Sequence, residues 1–287
     1  MAWFRKERKF SPIKTPEPRI VIPDGLVHKC SKCMSMVYIK DYEANLKVCP
    51  RCSYHERLSA RERIAMLTDE GSFEEYDANL SSGDPLKFTD KKPYPSRLAQ
   101  YQKETGLKEA IITGYARVEN VPISLGVMEA NFIMGSMGSA VGEKVSRSME
   151  RAIERRIGAV TVCVSGGARM MEGILSLMQM AKTSMMVAEM EKNRLPYITI
   201  LTNPTTAGVM ASYASLGDAI ISEPACMVGF AGPRVIEQTI RQILPKGFQT
   251  AEFVLQKGFI DRVVPRRELK STLGRFLRYF YQPQASK

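Results

Sequence analysis

Four cysteines stand in two pairs, Cys30-Ser31-Lys32-Cys33 and Cys49-Pro50-Arg51-Cys52, with 15 residues between the pairs. That spacing matches a four-thiolate zinc site, because each CxxC folds as a small turn that presents two sulfurs to one tetrahedral ion. Met36-Val37-Tyr38-Ile39 supplies a short strand for a zinc ribbon, and Lys29, Lys32, Lys47 and Arg51 partly offset the negative charge of a zinc–thiolate centre. The same cysteines also permit two disulfides, a reading that a reducing compartment disfavours. Four thiolates close the coordination shell, so the expected metal is one structural Zn2+ rather than a catalytic ion.

Both histidines, His28 and His55, flank the ribbon, and the main body has none. A Ser-His-Asp or Cys-His nucleophilic site in the body is thereby excluded. Cys163 and Cys226 sit alone in apolar strands and read as buried small hydrophobes. Chemistry in the body must then come from the backbone, and two turns offer it. Val160–Val164 runs into Ser165-Gly166-Gly167-Ala168-Arg169, and Tyr197–Leu201 runs into Thr202-Asn203-Pro204-Thr205-Thr206-Ala207-Gly208. Each turn is expected at the carboxyl end of a strand and the start of a helix. Free N–H groups there, with the positive end of the helix dipole, suit a phosphate, a carboxylate or a developing oxyanion. A tight connection without a ligand would use the same residues. The segment 135–144, GSMGSAVGEK, fails the P-loop pattern, and no G-x-G-x-x-G follows a strand.

The elements that would position these turns follow from periodicity. Strands are expected at 110–118 and 121–130, joined as a hairpin at Glu119-Asn120, and then at 160–164, 197–201, 218–222, 226–230 and 260–264. Helices are expected at 57–67, 140–157, 170–193, from 208, and at 233–244, 250–257 and 266–281. The repeat of strand, glycine-containing turn and helix gives an α/β class. The helix at 170–193 carries Met170, Met171, Met178, Met180, Met185, Met186 and Met190. It reads as buried on several sides, or as a plastic surface for a subunit or an acyl chain. The organisation expected is an extended basic segment at 1–25, a ribbon at 26–56 and an α/β body with a basic C-terminal helix at 57–287.

The chain has 287 residues and a formal charge of +11. Its composition excludes collagen and wholesale disorder. Residues 1–63 hold 14 basic and 7 acidic side chains and residues 262–287 hold 7 and 1, which leaves the centre at −2. The excess at the ends suits a polyanion: nucleic acid, an acidic protein or a phosphate-rich small molecule. A nucleic-acid-binding regulator built on the ribbon is therefore the rival reading. No apolar stretch suits a secretory signal or a membrane span, so the expected location is the cytoplasm, with no membrane partner.

The segments SGGARM (165–170), SLMQMAKTS (176–184), TNPTTAGV (202–209) and GFAGPRVIEQT (229–239), together with the ribbon, closely resemble the β subunits of bacterial acetyl-CoA carboxylase carboxyltransferase. The likeness covers roughly residues 26–265. It implies a crotonase-type superhelix of ββα units with an N-terminal four-cysteine zinc ribbon. It also implies an α subunit in an α2β2 heterotetramer, a biotin carboxyl carrier protein and a biotin carboxylase. The implied reaction moves the carboxyl group of carboxybiotin to acetyl-CoA, giving malonyl-CoA in the first committed step of fatty acid synthesis. Within it, the backbone amides of Ala207 and Gly208 would hold the thioester oxyanion, and Gly166 and Gly167 would line the same pocket. Many relatives carry Gly-Gly where this chain has Ala207-Gly208, and alanine takes a positive φ only with difficulty. Arg234, in the GPR turn, would face CoA or biotin, or cap a helix.

Overall fold

The computed structural model describes residues 25–280, apart from the side chains of Arg234 and Ile240. Most of the basic segment expected at 1–25 therefore lies outside the described residues. The ribbon comes first: strands β1 (Val27–Lys29) and β2 (Met36–Tyr38) pair antiparallel, with Val27 opposite Tyr38, and a short helix α1 (Ile39–Ala44) follows. Helix α2 (Ala60–Leu67) opens the body at a Ser59/Glu62 capping box, in which each side chain accepts the other's backbone N–H.

The body continues through β3 (Glu74–Tyr76), α3 (Tyr94–Thr105), β4 (Ile111–Val118), β5 (Val121–Met128), α4 (Ser139–Arg155), β6 (Gly158–Ser165), α5 (Gly173–Lys192), β7 (Tyr197–Thr206) and α6 (Ala207–Met210). It closes with β8 (Ala219–Ser222), β9 (Val228–Gly229), α7 (Pro233–Ile240), α8 (Ala251–Gln256), β10 (Arg262–Val263) and α9 (Leu269–Phe280). The sheet order is β10-β8-β7-β6-β5-β4-β3, with β9 beside the carboxyl end of β7. From β5 to β10 the pairing is parallel, and β3 and β4 are antiparallel additions at the edge. Strand order follows chain order without reversal, so there is no dinucleotide-type switch point. Every residue of β6 is buried, as a parallel strand covered on both faces requires. The β4–β5 hairpin turns at Glu119-Asn120, both with positive φ, the geometry of a two-residue turn matched to strand twist.

Three expectations change. The helix expected from 170 begins as a 3-10 turn over Met170–Glu172, and the α-helix starts only at Gly173, where φ is +48°. Strand β7 extends through Thr206, because Thr202, Thr205 and Thr206 donate their hydroxyls to the Cys163 and Ser165 carbonyls at a register shift in β6. The methionine-rich helix α5 is not buried on several sides. Ser176, Thr183 and Met190 face inward, while Ile174, Leu177, Met178 and Met185, with Met170 just before the helix, are more than half exposed.

Candidate functional site

The four cysteine sulfurs lie within 4.8 Å of one another, with Cys30–Cys52 and Cys33–Cys49 each at 3.8 Å. A tetrahedron with zinc–sulfur bonds of about 2.3 Å has sulfur–sulfur edges of about 3.8 Å. The same separation is far beyond a disulfide bond of about 2.05 Å. Donor chemistry and spacing therefore both fit Zn2+. Neither histidine belongs to the cluster. His28 meets Glu56 at 3.2 Å and stacks on Tyr42, while the Glu56 carboxylate also accepts the Ser31 N–H at 2.9 Å. Burial raises the affinity of the Glu56 carboxyl for its proton, but these donors outweigh it and hold the group below its ordinary range.

A buried arginine fastens the ribbon to the body. Arg266 donates to the Leu46 and Glu56 carbonyls of the ribbon at 2.6 and 2.8 Å, and to both oxygens of Glu223 at 2.7 and 2.9 Å. Arg63 forks onto the same carboxylate at 2.8 and 3.1 Å. Burial opposes the Glu223 charge, yet the two guanidinium groups prevail and hold it far below the usual carboxylate range. His55 completes the joint: its Nε2 accepts the Arg266 N–H at 3.2 Å and its Nδ1 meets the Ser53 carbonyl at 3.0 Å.

The two turns lie side by side at the carboxyl ends of β6 and β7. A Cβ on Gly167 would stand 2.5 Å from the Ala207 Cβ, and φ at Gly167 is +121°, so contact and conformation both require glycine there. The amides have different fates. Gly166 donates to the Met134 carbonyl, Gly167 to the Ser165 hydroxyl and Ala207 to the Phe230 carbonyl, each at 2.9 Å. Among the described residues, the N–H groups of Ala168 and Gly208 have no acceptor. They belong to one crevice: a Cβ on Gly208 would meet the Ala168 Cβ at 3.2 Å, the Met180 sulfur at 3.2 Å and the Ala168 nitrogen at 3.4 Å. Backbone donors without a partner are uncommon inside a fold, and two neighbouring ones, one buried at Gly208 and one half-buried at Ala168, suit an anionic oxygen. Sequence reasoning passed over Ala168, since a backbone amide leaves no mark in residue type.

The first turn is held from behind. Arg169, 1% exposed, donates to Glu109 at 2.5 and 3.0 Å, to Tyr94 at 3.0 Å and to the Ser136 carbonyl at 2.9 Å. The Tyr94 hydroxyl donates to Glu172 at 2.6 Å, and Glu172 also accepts the Ser139 N–H at the start of α4. The missed helix α3 and the residue Glu109 thus serve the turn. Ala207 has φ +51°, the left-handed region, with its amide directed at Phe230. Arg234 occupies the first turn of α7, after Pro233; its side chain lies outside the described residues. Cys163 and Cys226 are fully buried, and burial pushes both thiols up, as inert core residues.

The carboxyl transferase domain family matches residues 54–246. The acetyl-coenzyme A carboxylase carboxyl transferase subunit beta of Gloeobacter violaceus is 51% identical, over 99% of this chain and 96% of that protein. The protein of the same name from Desulforamulus reducens is 54% identical over 89% of this chain and 88% of its own. Among solved structures, a transcarboxylase 12S chain shares the fold with a TM-score of 0.65 at 23% identity, covering 83% of this chain and 42% of that one. A Pseudomonas malonate decarboxylase heterotetramer does so with a TM-score of 0.63 at 20% identity, covering 77% and 82%. The fold is thus the crotonase-type α/β superhelix, here with a four-cysteine ribbon, and the chain belongs to the family of acetyl-coenzyme A carboxylase carboxyl transferase β subunits.

Proposed function

We propose that this chain is the β half of a carboxyltransferase that makes malonyl-CoA from acetyl-CoA and carboxybiotin. The observation that carries the reading is the pair of unengaged amides, Ala168 and Gly208, converging between two turns of a body without histidine. Loss of a methyl proton from an acetyl thioester places negative charge on the thioester oxygen. Two fixed N–H donors between the turns stabilise that charge without a nucleophile from the chain. Biotin, delivered on its carrier protein, supplies the carboxyl group and then the base. Ala168 joins the site in place of the Ala207 amide, which Phe230 engages; Ala207, Gly166 and Gly167 shape the walls.

The partners follow from the same reading. An α subunit docks on the exposed apolar face of α5, in an α2β2 assembly, and the biotin carboxyl carrier protein and biotin carboxylase complete the complex. Zinc is structural, in a ribbon at 26–56 joined to a catalytic body at 57–287. Among the described residues no helix is long and apolar enough to cross a membrane, which agrees with work in the cytoplasm. The rival nucleic-acid reading has few rings to stack on bases: the ribbon holds three tyrosines, and Tyr42 is buried against His28.

The test is malonyl-CoA formation from acetyl-CoA and carboxybiotin after the zinc-loaded chain is mixed with its α subunit. Activity is expected from the mixture and almost none from either part. Full activity of the chain alone would overturn the split-subunit reading.

A further inference from the structure

Residues 64–261, which carry both turns, hold 20 basic and 22 acidic side chains, and Arg169, beside the turns, is buried and paired with carboxylates. Positive charge for the substrate must come from elsewhere, and the ribbon together with the residue that follows it places charge near both turns. The exposed Arg57 side chain reaches the Met134 sulfur at 3.9 Å. Met134 belongs to the first turn's wall: its carbonyl accepts the Gly166 N–H, and its Cβ stands 3.7 Å from where a Gly166 Cβ would be. At the second turn, Tyr54 meets the amide of Asn203 at 3.5 Å, and the Lys32 ammonium lies 5.6 Å from the Tyr54 ring centroid. Among the described residues, Arg57 and Lys32 have no carboxylate partner, although Arg57 follows Glu56, whose carboxylate is taken by Ser31 and His28. The Arg266 joint keeps this arrangement in place through the Leu46 and Glu56 carbonyls.

We propose that Lys32 of the ribbon and Arg57, the first residue after it, contact the phosphates of the coenzyme A thioester, so that the ribbon and its junction with the body determine preference for the nucleotide-bearing substrate. This rests on the carboxyltransferase reading. Arg57 touches the wall of the first turn and Lys32 lies on Tyr54, which meets the second, while the two amides belong to the turns themselves. Thioester and phosphates of one extended molecule are therefore recognised by two parts of the chain, the reacting end by backbone and the polyanionic end by side chains.

The experiment uses the zinc-loaded complex with its α subunit. Calorimetry measures binding of coenzyme A and of pantetheine, which lacks the phosphates. Arg57→Gln is expected to weaken coenzyme A binding roughly tenfold. It should leave pantetheine unaffected, flatten the salt dependence of coenzyme A binding and raise the KM for acetyl-CoA but not for carboxybiotin. Lys32→Gln, which keeps the Met134 contact, should act in the same direction, and Arg57→Lys should recover most of the affinity. Unchanged zinc content and melting temperature confirm intact variants. Coenzyme A binding equal to wild type in both glutamine variants would overturn the proposal. So would an equal loss for pantetheine, which would assign Arg57 to shaping the turn through Met134. A wild-type complex that binds coenzyme A without forming malonyl-CoA would count against the reaction assigned above, not against this phosphate site.

Discussion

Ala207 holds a left-handed backbone at φ +51°, a conformation that costs an alanine about 1–2 kcal/mol relative to the right-handed region. The resemblance marked Ala207 as a departure from Gly-Gly at which a positive φ would be difficult for alanine, and the structure gives it that φ. Ala207→Gly removes the strain but frees the unfolded chain, so a stability change of no more than about 1 kcal/mol is expected, readable as a small shift in melting temperature. Ala207→Val, branched and crowded against Gly167, should lower stability by more than about 2 kcal/mol. Gly208 answers a different question. A valine there would press on Ala168 and Met180 and move the Gly208 amide out of line. Turnover is expected to fall about a hundredfold, as for loss of one oxyanion donor, with much less effect on coenzyme A binding. An equal loss in both would remove the transition-state role. Ala168 was not legible beforehand, because the role proposed for it rests on its amide and only the engagement of its neighbours reveals which amide is left.

At the scale of elements, β4 to β6 and the start of β7 were legible because each is a run of apolar, β-branched residues bounded by turn signals. What sequence reasoning lost were elements set by long-range contacts. Helix α3 follows a proline-rich stretch and shows little periodic signal, yet it carries Tyr94 into the network behind the first turn. Helix α5 starts later than its periodicity suggested because Arg169 and Glu172 are drawn into that network and the chain makes a 3-10 turn between them. Arg169→Met would leave Glu109 and Glu172 buried without their cation. A loss of about 3–5 kcal/mol is expected from unfolding curves, since an uncompensated buried charge is the dominant cost. The face of α5 gives the complementary case. Leu177 and Met178 are 52% and 55% exposed, so Leu177→Asp should leave the melting temperature within about 1 °C while abolishing co-elution with the α subunit. A folded variant that still co-elutes would place the interface elsewhere.

Across the described residues, the ribbon and the body meet at a buried polar joint. The body's apolar core begins at Ala60 and includes no ribbon residue, while the ribbon depends on its four thiolates and a two-stranded sheet too small to stand alone. The joint is the Glu223 carboxylate with Arg63, Arg266 and His55. Burial pushes the His55 imidazole below its ordinary range, so the unfolded chain takes up the proton first. Its contribution is therefore complete above about pH 6.5 and declines as pH falls below that value towards the lower folded-state pKa. Protonation would also set an N–H against the Arg266 N–H that Nε2 now accepts. Amide protection factors around Arg266, with the intrinsic pH dependence of exchange divided out, should thus be constant above about pH 6.5 and fall below it, with zinc content monitored at each pH. Removing zinc at neutral pH tests the same division without titration. A chelator should make residues 26–56 sensitive to protease, and the thermal transition of the body should shift little, because its core has lost no apolar contact. Carboxyl transfer should nevertheless fall, since the chain that brings Tyr54 and Arg57 to the two turns is the chain that a zinc ion on the four cysteines would hold. Retention of full activity after zinc loss would show that the body works without its ribbon. Collapse of the body's own transition would show that the Arg266 joint, rather than the separate cores, governs the stability of the whole.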